Sequence, residues 1–102
     1  MISRQWRGVA RASDADRYVE HLRAETFPLL AKIDGFREAS ILKRSVAAGV
    51  EFRVVTVWDS LAAIRQFAGE SAEDAVVPEK VQAMMVNYDR VVEHYEVVAG
   101  RQ

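Results

Sequence analysis

Residues 50–58 read Val-Glu-Phe-Arg-Val-Val-Thr-Val-Trp, a run that side-chain alternation makes into a strand apolar on both faces. Phe52, Val54, Thr56 and Trp58 point one way, Val55 and Val57 the other. Such a strand needs cover on both sides, so it belongs inside a layered structure. The chain has 102 residues, enough for one domain over 1–102, and a domain this small leaves much of its surface wet.

The neighbouring segments supply the layers. Residues 2–11 form a strand with Ile2, Trp6 and Ala10 on one side and Ser3, Gln5, Arg7 and Arg11 on the other. Ser13 is a candidate N-cap, with Asp16 as its capping-box partner. Ala15, Tyr18, Val19, Leu22, Thr26, Leu29, Leu30 and Ile33 then mark one face of a helix. Pro28 is expected to kink or break it, and Asp34-Gly35 to stop it. A second strand covers 36–46, and Ala47-Ala48-Gly49 turns the chain into the third. Asp59-Ser60 caps a short helix with Leu61, Ile64 and Ala68 inward, ending at Gly69. Residues 70–76 form a loop, and Pro78 opens another helix with Val77, Val81, Met84 and Met85 along one side. Residues 88–98 are the last strand. The order strand, helix, strand, strand, helix, strand predicts an α+β, ferredoxin-like fold with both helices on one sheet face. The other face keeps apolar groups among Val55, Val57, Val91, Tyr95 and Val97, a patch that a second copy can bury.

Composition narrows the function. The net charge is -1 and the basic residues form no run, so the footprint of a nucleic-acid binder is missing. No cysteine is present, which excludes disulfides, thiolate catalysis and cysteine-held metals. Met1 to Arg7 lack the apolar core of a signal peptide, and no stretch approaches the length of a membrane span. A cytoplasmic enzyme or binding protein is expected, with no membrane partner.

The segment Val54-Val55-Thr56-Val57-Trp58-Asp59-Ser60-Leu61, followed by Phe67-Ala68-Gly69 and by Val92-Glu93-His94-Tyr95-Glu96-Val97, resembles the antibiotic biosynthesis monooxygenase family of dimeric α/β barrels. The resemblance covers nearly the whole chain. It implies a homodimer whose sheets form a barrel with helices outside, and a pocket in each subunit between sheet and helices. Some members oxygenate aromatic polyketides or quinols with O2, without metal or flavin; others cleave haem. The haem-cleaving branch has a third-strand tryptophan, matched by Trp58. Its proximal histidine falls near Val77-Pro78, where no ligand stands, and its first-strand asparagine falls near Trp6 or Arg7, where there is none. The expected function is therefore a cofactor-independent monooxygenase acting on a small aromatic or quinol-type molecule. A non-catalytic ligand-binding barrel is the alternative, and haem degradation ranks behind both.

Such an oxygenase needs an apolar slot, a base and donors for developing negative charge. His94 is the expected base and Trp58 an expected wall and N–H donor, the two forming the catalytic set. Trp6, Phe67, Met84 and Met85 are expected to line the substrate, and Tyr88 and Arg90, sharing the parity of His94, to hold a phenolate or enolate. Each also has a plainer role: the apolar groups as core, His94 as a structural or dimer-seam histidine, Arg90 as a surface ion-pair partner. Asp89 has the opposite parity and is a weaker base, and His21 is placed at the rim of the first helix. No metal-ligand spacing, glycine-rich phosphate loop or nucleophile motif occurs. No cofactor is expected, and the expected partners are a second copy and a small apolar or aromatic molecule. Light scattering at micromolar concentration should report twice the mass of one chain; a stable, well-folded single subunit would defeat the dimer expectation.

Overall fold

The computed structural model describes residues 1–101. It contains β1 (Ile2–Ala10), α1 (Ala15–His21), α2 (Phe27–Ala31), β2 (Phe36–Val46), β3 (Gly49–Trp58), α3 (Leu61–Ala68), α4 (Glu79–Gln82), β4 (Met85–Tyr88) and β5 (Glu93–Glu96). The strands form one antiparallel sheet in the order β2-β3-β1-β4, with β5 also paired to β1. This is the expected α+β, ferredoxin-like arrangement.

β1 is the central strand. One edge pairs with β3 along its whole length, Ile2 opposite Trp58 through Ala10 opposite Val50. Its other edge is shared, Gly8–Ala10 facing β4 and Ile2–Gln5 facing β5. The register puts Ile2, Arg4, Trp6 and Gly8 on one face with Trp58, Thr56, Val54 and Phe52. Two apolar cores lie against that face. One gathers Trp6, Tyr18, Leu22, Phe52, Val81, Met84 and Met85; the other gathers Leu30, Trp58, Ala63, Ile64 and Ala72.

Several local expectations change. The predicted strand 88–98 is two strands: after Asp89 the chain leaves β1, and Arg90–Val92 pair with the preceding loop, including a bridge between Asp74 and Val91. Four residues there stand opposite only Trp6 and Arg7, so the ladder cannot remain regular. The Pro78 helix is a single turn, and Met85 belongs to β4. Ser13 makes no capping bond and lies in a 3-10 turn, Ala12–Asp14, while Asp14 accepts from Arg17 instead. Pro28 does not break the helix. The turn before it, Leu22–Thr26, widens to a π-helix, with the Phe27 N–H donating to the Leu22 carbonyl. Such widening is one way a helix accommodates a residue that lacks an amide donor and crowds the carbonyl four positions earlier.

Other expectations hold. Ser60 Oγ accepts from the Ala63 N–H at 3.1 Å and opens α3, and Gly69 ends it at φ 87°. The outer face of the sheet is mixed. Val55 and Val57 are half-buried and Leu42 and Tyr95 exposed, whereas Val91 has left the sheet with the detour. Charged neighbours pair across that face, Arg7 and Arg44 both bonding Glu51 at 2.9 and 2.7 Å.

Gly49 closes the β2–β3 hairpin at φ 152°, and a Cβ there would stand 2.2 Å from the Ala10 carbonyl oxygen. Backbone cannot yield that far without moving β1. Gly49→Ala should therefore lower stability by about 1–3 kcal/mol, measured by denaturant unfolding.

Candidate functional site

A cavity of about 320 Å3 lies between the helix-facing side of the sheet and the α1–α2 helix. Its walls come from both cores: Trp6, Tyr18 and Leu22 from one, Leu30 and Phe67 from around the other. Val76, Pro78 and Val81 close a further side. The cavity forms because a polar row crosses the sheet between the two cores. In that row Ala39 pairs with Thr56, Thr56 with Arg4, and Arg4 with His94.

Arg4 is the unusual member. It keeps only 5 % of its surface exposed and lines the cavity. Its guanidinium donates to the carbonyl of Ala72 through Nη1 and to that of Asp74 through Nη2, the latter at 2.8 Å. Nη1 also stands 3.4 Å from His94 Nε2, and Phe67 lies 5.9 Å from the guanidinium carbon. Among the described residues no carboxylate comes within 4.0 Å of it. Burial pulls Arg4 down to about 10, with the more distant carboxylates of Asp74 and Glu73 acting in the opposite sense. It therefore stays cationic at neutral pH.

His21 lines the cavity too and is buried. Its Nδ1 is 3.3 Å from Glu25 Oε2 and its Nε2 is 3.3 Å from Thr26 Oγ1. Glu25 in turn accepts from Lys80, which bonds the helix to α4. His21, Glu25 and Thr26 sit at or within the π turn, which adds a residue per turn and rotates the later part of the helix. Tyr18 completes this side, its phenol pushed well above the usual range by burial and so neutral.

The expected site residues distribute unevenly. Trp6 and Phe67 line the cavity. The Trp6 ring lies 6.1 Å from Tyr18 and 6.5 Å from Tyr88, and its indole N–H donates to the Asp89 carbonyl at 2.8 Å. Trp58 is fully buried beneath the cavity wall, its N–H on Thr56 Oγ1 at 2.8 Å and its ring stacked 6.3 Å from Phe67. Met84 and Met85 pack in the first core, outside the lining. His94 faces the same side of the sheet but meets the cavity only through Arg4. Tyr88 is half-buried, and Arg90 is exposed with its guanidinium 6.0 Å from the Tyr88 ring, neither in the lining. Asp89 is also exposed. His21 moves from the expected rim into the wall, and Arg4 is new. The parity that placed Ile2 and Trp6 inward places Arg4 with them, a signal present in the sequence. His21 is buried on the same side of α1 as Ala15 and Tyr18, a three-residue spacing also present in the sequence, and the π turn supplies its Thr26 neighbour.

The family model for antibiotic biosynthesis monooxygenases matches residues 7–79. This chain belongs to the antibiotic biosynthesis monooxygenase family. Solved structures agree with the fold of this family member. A Bacillus cereus protein carrying the family's name is 20% identical, with a TM-score of 0.70, over 100% of this chain and 95% of that one. A Deinococcus radiodurans protein of the same description is 15% identical, with a TM-score of 0.68, over 100% and 97%. The haem degrader MhuD from Mycobacterium tuberculosis, solved with two haems in its active site, is 18% identical, with a TM-score of 0.62, over 100% of both chains. At these identities the likeness is one of fold. Comparison with curated proteins gives no match. No helix among the described residues is long and apolar enough to cross a membrane.

Burial and the Arg4 cation both lower the affinity of His94 for a proton, burial being the larger cause. A folded state that resists this proton loses stability as pH falls, because the unfolded chain binds it near its ordinary pKa of about 6.5. Between pH 7.5 and 5.5 the wild type should lose more thermal stability than His94→Gln, read from melting temperatures in matched buffers.

Proposed function

We propose that this chain is a cofactor-independent monooxygenase that oxygenates a small aromatic or quinol-type molecule in the cavity beside Trp6, working as a homodimer. The observation that carries this reading is an apolar, aromatic-walled cavity with one imidazole in its wall, His21, oriented by a carboxylate. Family membership supports it, and fold alone does not supply an activity. We assign His21 as the base, with His94 acting through Arg4 and Trp58 backing Phe67 from behind the wall.

The chemistry asks little of the protein. With its Nδ1–H held by Glu25, His21 has Nε2 as the proton acceptor, which takes the substrate proton in place of its 3.3 Å contact with the Thr26 hydroxyl. For an anthrone-type substrate, removing a proton from the ring CH2 leaves an electron-rich carbanion that is itself the reductant. O2 adds at that carbon, one oxygen stays as the carbonyl, and the other leaves as water with the two hydrogens. The neutral Tyr18 hydroxyl and the Arg4 guanidinium stabilise the negative charge that builds on substrate oxygen. Docking the outer sheet faces, with Val55, Val57, Leu42 and Tyr95 between them, removes apolar area from water.

Haem degradation, the activity named for MhuD, has less support: position 78, where a proximal ligand is expected, puts a proline against the cavity. An oxygen electrode with a panel of anthrones and quinols tests the proposal. Wild type should consume O2 and His21→Ala should be slower by about 100-fold or more. Absence of uptake above buffer with every compound rejects the oxygenase. Raised melting temperatures with the same panel, without turnover, would support a binding module instead.

A further inference from the structure

Arg4 offers more than a generic oxyanion donor. A guanidinium carries five N–H donors. Three acceptors meet it here: the carbonyls of Ala72 and Asp74 and the His94 Nε2. With His94 held neutral, its Nε2 lone pair can accept. Two donors are left, the Nε–H and one hydrogen on Nη2. No described side-chain nitrogen or oxygen is both sealed from solvent-sized space and unpartnered. The unbonded Nε therefore keeps some accessible surface, and Arg4 is part of the cavity lining.

Charge and position agree. All three protein partners are neutral groups, so no carboxylate of the described residues bonds this cation, although it stands 95 % buried between two apolar cores. A buried charge in that state is costly, and a planar anion of matching geometry is what would compensate it. The guanidinium is also fixed: two carbonyls of the 72–74 loop and the β5 imidazole hold it from different directions, so little ordering remains when a ligand docks. Phe67, within cation–π distance of Arg4, sets an aromatic surface beside the charge. A volume of about 320 Å3 is near the lower limit of small-molecule pockets and suits one or two rings.

We infer that the ligand is an aromatic carboxylate of one or two rings, its carboxylate docked on the free donors of Arg4 and its ring against Phe67 and Trp6. This rests on taking the cavity as the ligand site and adds the specificity-determining residue and the ionic group it selects. Isothermal titration with 2-naphthoate and 2-naphthamide tests it, since the two share rings and differ in charge. Wild type should bind the acid at least tenfold more tightly than the amide. Arg4→Met should bind both alike, and Arg4→Lys, which keeps the charge and loses the fork, should retain part of the preference. Equal binding by wild type, binding of neither compound, or a preference unchanged in Arg4→Met would overturn the inference. Should the methionine variant fail to fold, the wild-type acid-to-amide ratio and the lysine variant still decide. An acid preference in a protein that consumes no O2 with any quinol would remove the oxygenase and keep the carboxylate site; O2 consumption without acid preference would do the reverse.

Discussion

The indole of Trp6 lies over Gly8, where a Cβ would stand 2.4 Å from the ring, and its N–H donates to the carbonyl of Asp89. The Asp89 N–H is held as well, by the Arg7 carbonyl at 3.0 Å. The residue that follows β4 is thus tied to the central strand through both main-chain polar groups, one by a side chain in place of the ladder. The chain beyond it turns away. The Arg90 carbonyl accepts from the Ala75 N–H and the Val92 N–H donates to the Glu73 carbonyl, so the loop at 72–75 is drawn against the sheet edge. That loop carries the carbonyls that hold Arg4. The flat tryptophan, the broken strand and the buried arginine are one construction.

A cavity in so small a chain needs a reason not to collapse, because interiors pack to crystal-like density. Here the reason is the row of Thr56, Arg4 and His94 between the two cores. Apolar side chains closing over Arg4 would seal its unbonded Nε–H away from any partner, and burying an unpartnered polar group is costly. On the same face the Trp58 indole N–H donates to Thr56 Oγ1, so the fully buried tryptophan leaves no donor free. Family resemblance fixes neither outcome; the residues on one sheet face do.

The helix contributes through an irregularity. Pro28 lacks an amide donor, and the turn before it is a π turn. That turn sets Glu25 and Thr26 within 3.3 Å of the two nitrogens of His21. The Lys80 bond to Glu25 then spans to α4, so the imidazole is oriented by groups from one helix and anchored to a second. A residue expected at the rim becomes part of the wall, and the turn that precedes the proline supplies one of its neighbours.

Strand alternation and helix stripes made the ferredoxin-like order, the β2–β3 hairpin, the Ser60 cap and the inward set of Trp6, Phe52 and Trp58 legible, because these depend on neighbours two to four residues apart. The motifs around Val54–Leu61 and Phe67–Gly69 carried the family. The site was legible only in Trp6 and Phe67. Alternation placed Arg4 on the inward face, but its role needed the tertiary structure, since its partners stand 68 to 90 residues away; the cavity wall that His21 joins likewise draws on distant segments. The split of the last strand likewise follows from an indole on β1 competing with the ladder, an event between segments more than 80 residues apart. Local chemistry decided which elements form and which faces they bury; long-range hydrogen bonding decided where the sheet breaks and which charge it leaves facing the cavity.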